Sequence, residues 1–564
     1  MATNSAEVIR IEIEDHKNNL TALQTAIAPA WVSSQNIRST SDILWSCIVT
    51  LTACIYTALH LNIKVETNRG QRIILKVKWV MLALIAPEVV ICMAFSQYLE
   101  ARWLVRELNE SKSKKRSYGE DEDDTKFDMY YAFFVVMGGL RVSYEDIEED
   151  GPWVDTPYAS NYIRILSVEA VAALAREGVF IDIARKDIED RSKADAIQKA
   201  LVLLQVTWMV TQCIARKLYG LPLALLEVHT MIHVVCALIL YICWFEKPLE
   251  VQTPEFLDLS KNDSLRNFLS LLLFEYDFPT MSEETKPKLL TPHQAPTDKH
   301  ISIASLDEAF RSHSSIDIPD GYILPIVPLR EEALPVQLQP AEVVSCGICF
   351  YQTRQLYRGE YLMLQRVVAA INEIRGPISA DESFPLGLLI KSNDDFDPKE
   401  ETASNPVFQE QRDMSTDGFV YFLRRDVSKA LRVSSFTWLM RSLGLLFPLL
   451  YGGIHLTAWN YRFPSNPERL VWMISCFIIA GTYPFMELIY HVIAGFDKIA
   501  TKSRGEEYSF NELDNVTFVL ILTASSICAL AARAYIVIEA FISLRNVPIG
   551  VYWSPGWVQM IPHV

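Results

Sequence analysis

Basic charge is scarce in this 564-residue chain: 52 Lys and Arg stand against 68 Asp and Glu, a formal net charge of -16. Phosphate backbones need a basic face, so nucleic acid is excluded as a partner. A cysteine framework is also missing. Of the ten cysteines, eight (Cys47, Cys54, Cys92, Cys213, Cys236, Cys243, Cys476, Cys528) fall inside apolar blocks, where they act as small hydrophobes. That leaves Cys346-Gly-Ile-Cys349, a lone CxxC with no second pair and no histidine at ligand spacing. The absence of a disulfide pattern fits soluble parts in a reducing compartment. The polar first 40 residues carry no secretory leader, so the first span must itself direct insertion. No Gly-rich phosphate loop, G-x-S-x-G elbow or H-E-x-x-H helix occurs, and no internal repeat is evident.

What the chain does have is apolar sequence pooled in long blocks. The run from Leu223 to Phe245 is long enough to cross roughly 30 Å of hydrocarbon as a helix. Trp244 and Phe245 close it as an aromatic belt, with Lys247 beyond. Ala200 to Ala215 precedes it, joined by the turn Gly220-Leu221-Pro222, and the two blocks form a membrane hairpin. Around it the sequence divides into a polar tail (1–41), two spans (42–98), and a loop with a short apolar segment and soluble helices (99–197). The hairpin (198–254) is followed by an acidic soluble insertion (255–434), three more spans (435–541) and a tail (542–564). The reading is all-α: a polytopic α-helical membrane protein of about seven spans with a partly disordered insertion. Within that insertion, Leu362, Leu364, Val367, Val368, Ile371 and Ile374 keep helical spacing.

Lys and Arg cluster near the ends of the long loops. On the positive-inside rule this sets those loops and the N-terminus in the cytosol, although the basic link Lys64–Lys78 points the other way. In that orientation the sequons at Asn19, Asn109, Asn262 and Asn515 stay unmodified.

Ionisable residues within spans are costly, and each invites a functional reading. His229 and His233 lie four apart on one helix face, as two ligands of one metal would. Glu487 and His491 repeat the spacing, and Glu88 follows Pro87 inside the second span, where the proline kinks the helix. The chemistry expected of a bundle joining them is a metal site on His229, His233 and His491, or acid/base work by Glu88 and Glu487. The bland reading stands beside it: neutral histidines buried for packing, and Arg533 with Glu539 as an internal or snorkelling pair. The run Glu120–Asp124 reads as a solvated acidic loop.

Several segments together resemble an uncharacterised family of multi-pass membrane proteins abundant in filamentous fungi. They are Ser41–Cys47 through His60–Asn62, Lys78-Trp79 with Ala86–Glu88, Met137–Gly139, Lys193–Asp195, Gln212–Arg216, Gly220–Pro222, Trp244–Pro248, Ser543–Arg545, Trp557 and Pro562-His563. Trp244-Phe245 departs from the paired tryptophan of that pattern. The resemblance implies a fungal integral membrane protein and transfers no activity. Three functions are therefore open. One is a membrane-embedded enzyme, or an accessory to one, acting on a lipid or other lipophilic metabolite. The second is a transporter or channel with an intramembrane Glu/His relay. The third is a scaffold or sensor whose insertion binds a cytosolic protein.

Overall fold

The computed structural model describes residues 3–16, 19–33, 37–63, 69–117, 126–143, 163–190, 196–249, 251, 253–277, 434–504 and 516–553. Between 288 and 409 it describes short strands and one helix. Two helices open the chain, α1 (Thr3–His16) and α2 (Leu20–Thr25). α3 (Thr40–Ala58), α4 (Arg69–Ile85) and α5 (Pro87–Ser117) follow. A small layer comes next: α6 (Met129–Val136), β1 (Leu140–Ser143), β2 (Ile163–Leu166), α7 (Val168–Arg176) and α8 (Arg185–Asp190). The central hairpin is α9 (Ala196–Leu218) with α10 (Leu225–Cys243). After it come β3 (Glu255–Leu257), α11 (Asp263–Asp277) and α12 (Arg358–Arg375). The chain closes with α13 (Ser434–Leu456), α14 (Asn466–Arg504) and α15 (Val516–Ile542).

Five helices among the described residues are long and apolar enough to cross a membrane, in α3, α10, α13, α14 and α15. The expected second span is not one straight helix. α4 and α5 meet at Ala86 with a bend of 111°, because Pro87 has no N–H to continue the first helix and serves instead as the first residue of the next. α9, the first leg of the expected hairpin, is 23 residues long and carries Gln205, Thr207, Thr211, Gln212, Arg216 and Lys217 among its apolar residues. The described residues also contain ten short strands, so the chain is mostly helical where an all-α fold was expected.

Side-chain pairs fix the direction of each helix. Arg38 meets Glu227 at one end of α3 and α10, and Tyr241 meets Thr57 at the other, so these two run parallel. Ser46 with Met209 and Thr50 with Gln205 make α9 antiparallel to α3. α13, α14 and α15 alternate after them, giving six passages through the bundle among the described residues: α3, α9, α10, α13, α14 and α15. α4 and α5 add none. α4 follows from the far end of α3, reaches Ile85 beside Arg533 of α15, and α5 returns past Gln97 and Asn62 to the same end.

An even number of passages brings both ends of the chain to one end of the bundle, and there they pack together. Ile27 bridges Pro548, Ala28 N–H donates to the Val547 carbonyl at 3.0 Å, and Ile549 N–H to Ala26 at 2.9 Å. Ile9, Ile13, Leu23 and Val32 are buried against Val551 and Tyr552 in this cap. The segment read as a polar tail thus has its own apolar face. The loop layer sits at the opposite end of the bundle.

In that layer the short apolar segment is α6, buried from Tyr131 to Val136 against α5, with α8 beside it. Gly138, at φ +82°, turns the chain into β1. β1 lies between β2, antiparallel, and β3, parallel. α12 forms where helical spacing placed it and packs on α11. The disorder expected in the insertion, and Glu120–Asp124, fall outside the described residues.

Lys247 ties the two layers. Its ammonium donates to the His60 carbonyl at 2.6 Å, Gln97 Oε1 at 2.8 Å and Asn62 Oδ1 at 3.1 Å, under the Trp244 ring. No carboxylate is among these partners, and burial pulls the amine from its ordinary 10.5 down to about 7. Unfolded chain therefore holds this proton up to a higher pH than folded chain. Stability should rise as pH climbs from about 7 toward 10, and Lys247→Met should flatten that slope in thermal unfolding scans across the range.

Candidate functional site

The bend at Ala86 leaves the Ile85 carbonyl without its helical donor, since Val89 N–H turns to Ala86 at 3.2 Å. One residue past Pro87, in the first turn of α5, sits the Glu88 carboxylate, where the helix dipole favours negative charge. Arg533 of α15 serves both groups. Its guanidinium donates to both Glu88 oxygens and, at 3.1 Å, to the Ile85 carbonyl. The two side chains are 9% and 13% exposed, so this is a desolvated, two-pronged ion pair at the bend between α4 and α5. Its partner was misread from sequence: Glu539 lies two turns further on, beside Tyr535 at 3.5 Å.

From Arg533 the polar groups continue into the bundle. The guanidinium lies 5.3 Å from the centre of the Tyr451 ring, which packs against His455 at 4.5 Å and His233 at 6.0 Å. His455 Nδ1 bonds the Tyr451 carbonyl at 2.8 Å. A carbonyl only accepts, so this nitrogen carries the proton and His455 Nε2 is left as an acceptor. His229 Nδ1 then donates to it at 3.1 Å. In a neutral ring, His229 Nε2 becomes a bare lone pair. It is buried without a hydrogen bond, as is His233 Nε2, the two rings standing 4.6 Å apart. The Trp472 indole N–H fixes the His455 carbonyl at 3.2 Å.

The structure therefore brings Glu88, His229 and His233 into one neighbourhood and adds Arg533, His455 and Tyr451. Glu487 and His491 do not join it. They pair with each other at 3.5 Å on the outer side of α14, where the His491 side chain is 60% exposed. Trp472 marks the cluster on the same helix, and Glu487 lies fifteen residues past it, roughly 22 Å along the axis. The metal set of His229, His233 and His491 is not assembled. Among the described residues no group of three His, Cys, Asp or Glu is arranged to hold a metal ion.

A second buried charge node lies nearer the cap. Glu227 caps α10, accepting from Ala224 N–H at 2.8 Å, and pairs with Arg38 at 2.6 Å. Arg216 is buried nearby and donates to four carbonyls, those of Pro222, Gly550, Val551 and Trp553, at 2.8 to 3.1 Å. It clasps the C-terminal segment to the central hairpin and reads as structural.

No curated protein and no solved structure matches this chain. A family model matches residues 16–298 and 433–564 and leaves out most of the insertion. The matched parts hold every residue of the polar cluster, from Glu88 to Arg533. The chain belongs to that family, a family of unknown function designated DUF8562.

Proposed function

We propose that this is an integral multi-pass membrane protein acting as a transporter or channel, with protons moving through the Glu88/Arg533 and histidine cluster. The observation that carries this reading is the break at Ala86-Pro87. A helix interrupted inside an apolar bundle needs its freed backbone satisfied by protein or by a lined path, and ions are commonly handled at such breaks. Here the break presents a carboxylate, an arginine and a chain of histidines drawn from α5, α15, α13 and α10. A buried ion pair is a poor source of stability compared with apolar packing, which favours a functional reason for keeping it. Membrane insertion is supported by the outward faces of the long helices: Phe477, Leu488, Leu520 and Ile527 are each 57–64% exposed.

The orientation we propose puts the loop layer in the cytosol. With α4 and α5 opening to that layer, the basic link Lys64–Lys78 joins the other Lys- and Arg-rich segments on one side, and its conflict with the positive-inside rule disappears. The unpaired Nε2 atoms of His229 and His233 also serve a membrane-embedded enzyme acting on a lipophilic small molecule. The resemblance adds a filamentous-fungal source.

The test is proton flux in proteoliposomes under an imposed pH gradient. The wild type should acidify the lumen, and Glu88→Gln and His233→Ala should each reduce the rate at least tenfold. Equal rates in all three, or none above empty vesicles, would contradict the transport reading. Turnover of a lipophilic substrate without flux would select the enzyme.

A further inference from the structure

We infer that the basic first half of α4, before the helix dips toward Ile85, docks on anionic phospholipid headgroups at the leaflet facing the long loops. The inference rests on the membrane reading above and adds a surface and a partner to it. α4 contains no Asp or Glu, while Arg69, Arg72, Lys76 and Lys78 fall in its first ten residues. At about 100° per residue, Ile73, Ile74, Val77 and Met81 fall in one arc roughly 100° wide. Their exposures are 63%, 70%, 54% and 47%, so no described part of the protein covers that arc. The opposite flank, with Trp79 and Ala83, is buried against the bundle. Lys76 borders the apolar arc on one side and Lys78 on the other, with Arg72 one turn before Lys76. An exposed apolar stripe edged on both sides by cations is the pattern of a helix lying at headgroup depth.

Two further observations set its place. Lys76 Nζ lies 3.6 Å from the centre of the Tyr56 ring, near the end of α3 that faces the loop layer, so the basic half of α4 sits at that end of the bundle. The 111° bend then turns the helix away from the direction of α5 rather than letting it continue as one span. A second copy of the chain would meet the apolar arc but would find cations on its borders. Negatively charged lipid satisfies both.

The test uses the full chain reconstituted in phosphatidylcholine vesicles with and without phosphatidylserine. A fluorescent amino acid replaces Ile74 in one protein and Ile527, on the outer face of α15, in another. Lipids brominated near the headgroup should quench position 74 best, and lipids brominated near the chain ends should quench position 527. Phosphatidylserine should increase the quenching at 74, and the pair Arg72→Gln and Lys78→Gln should remove that increase. Several results at position 74 would overturn the inference: best quenching by the deep lipids, equal access to aqueous iodide in both vesicle types, indifference to phosphatidylserine, or shielding by a second copy seen as self-quenching. Loss of deep quenching at 527 would instead overturn the membrane reading itself.

Discussion

Arg533→Met should destabilise the purified protein by about 3–5 kcal/mol, whereas adding Glu88→Leu to it should recover most of that loss. The first substitution strands a carboxylate in an apolar setting and leaves the Ile85 carbonyl without a donor. The second removes the stranded charge, and what remains is the cost of one unsatisfied carbonyl, about 1–3 kcal/mol. Leu and Met are similar in volume to the groups they replace, so packing changes contribute little. Chemical unfolding in detergent measures the cycle, and a coupling of at least 2 kcal/mol between the positions is the expected result. Additive losses would mean that Glu88 and Arg533 do not face each other. The same double variant separates stability from function. It should fold and yet carry no proton flux, because neither ionisable group remains.

Much of the local structure was legible. The central hairpin, its turn at Gly220-Leu221-Pro222, and the helix around Val367 carry periodic or turn signals within a few residues of each other. Pro87 announced the break, since its missing N–H acts on its own helix. The partner of Glu88 was not legible, because Arg533 lies 445 residues away and nothing local marks the pair. Nor was His455 legible as the third member of a chain begun by His229, 226 residues earlier. Glu487 and His491 misled for the opposite reason. Spacing of four shows that two side chains share a helix face and says nothing about which way the face points. The N-terminal segment misled through composition, since Ile9 and Ile13 supply an apolar face within an otherwise charged stretch.

The arrangement of the ends has an all-or-none consequence for modification. Six passages place the N-terminal segment opposite the basic loop layer, which puts the sequon Asn19-Leu20-Thr21 on the non-cytosolic side in the proposed orientation. Asn19 is exposed there. Its Oδ1 accepts from Ala22 N–H at 3.2 Å, which leaves Nδ2, the atom that takes the sugar, outward and available. Asn109 and Asn262 lie in the loop layer, and Asn109 uses its amide on both backbone groups of Phe127, at 2.9 and 3.0 Å.

The direct measurement is an endoglycosidase digestion of the full chain made in a eukaryotic secretory host, with Asn19→Gln and Asn109→Gln alongside. The account predicts one sugar-dependent mobility shift in the wild type, lost in Asn19→Gln and kept in Asn109→Gln. A shift that survives Asn19→Gln and disappears with Asn109→Gln would put the loop layer outside the cytosol. Shifts from both sites in one molecule would place the chain ends and the loop layer on the same side, and the six-passage bundle would be wrong.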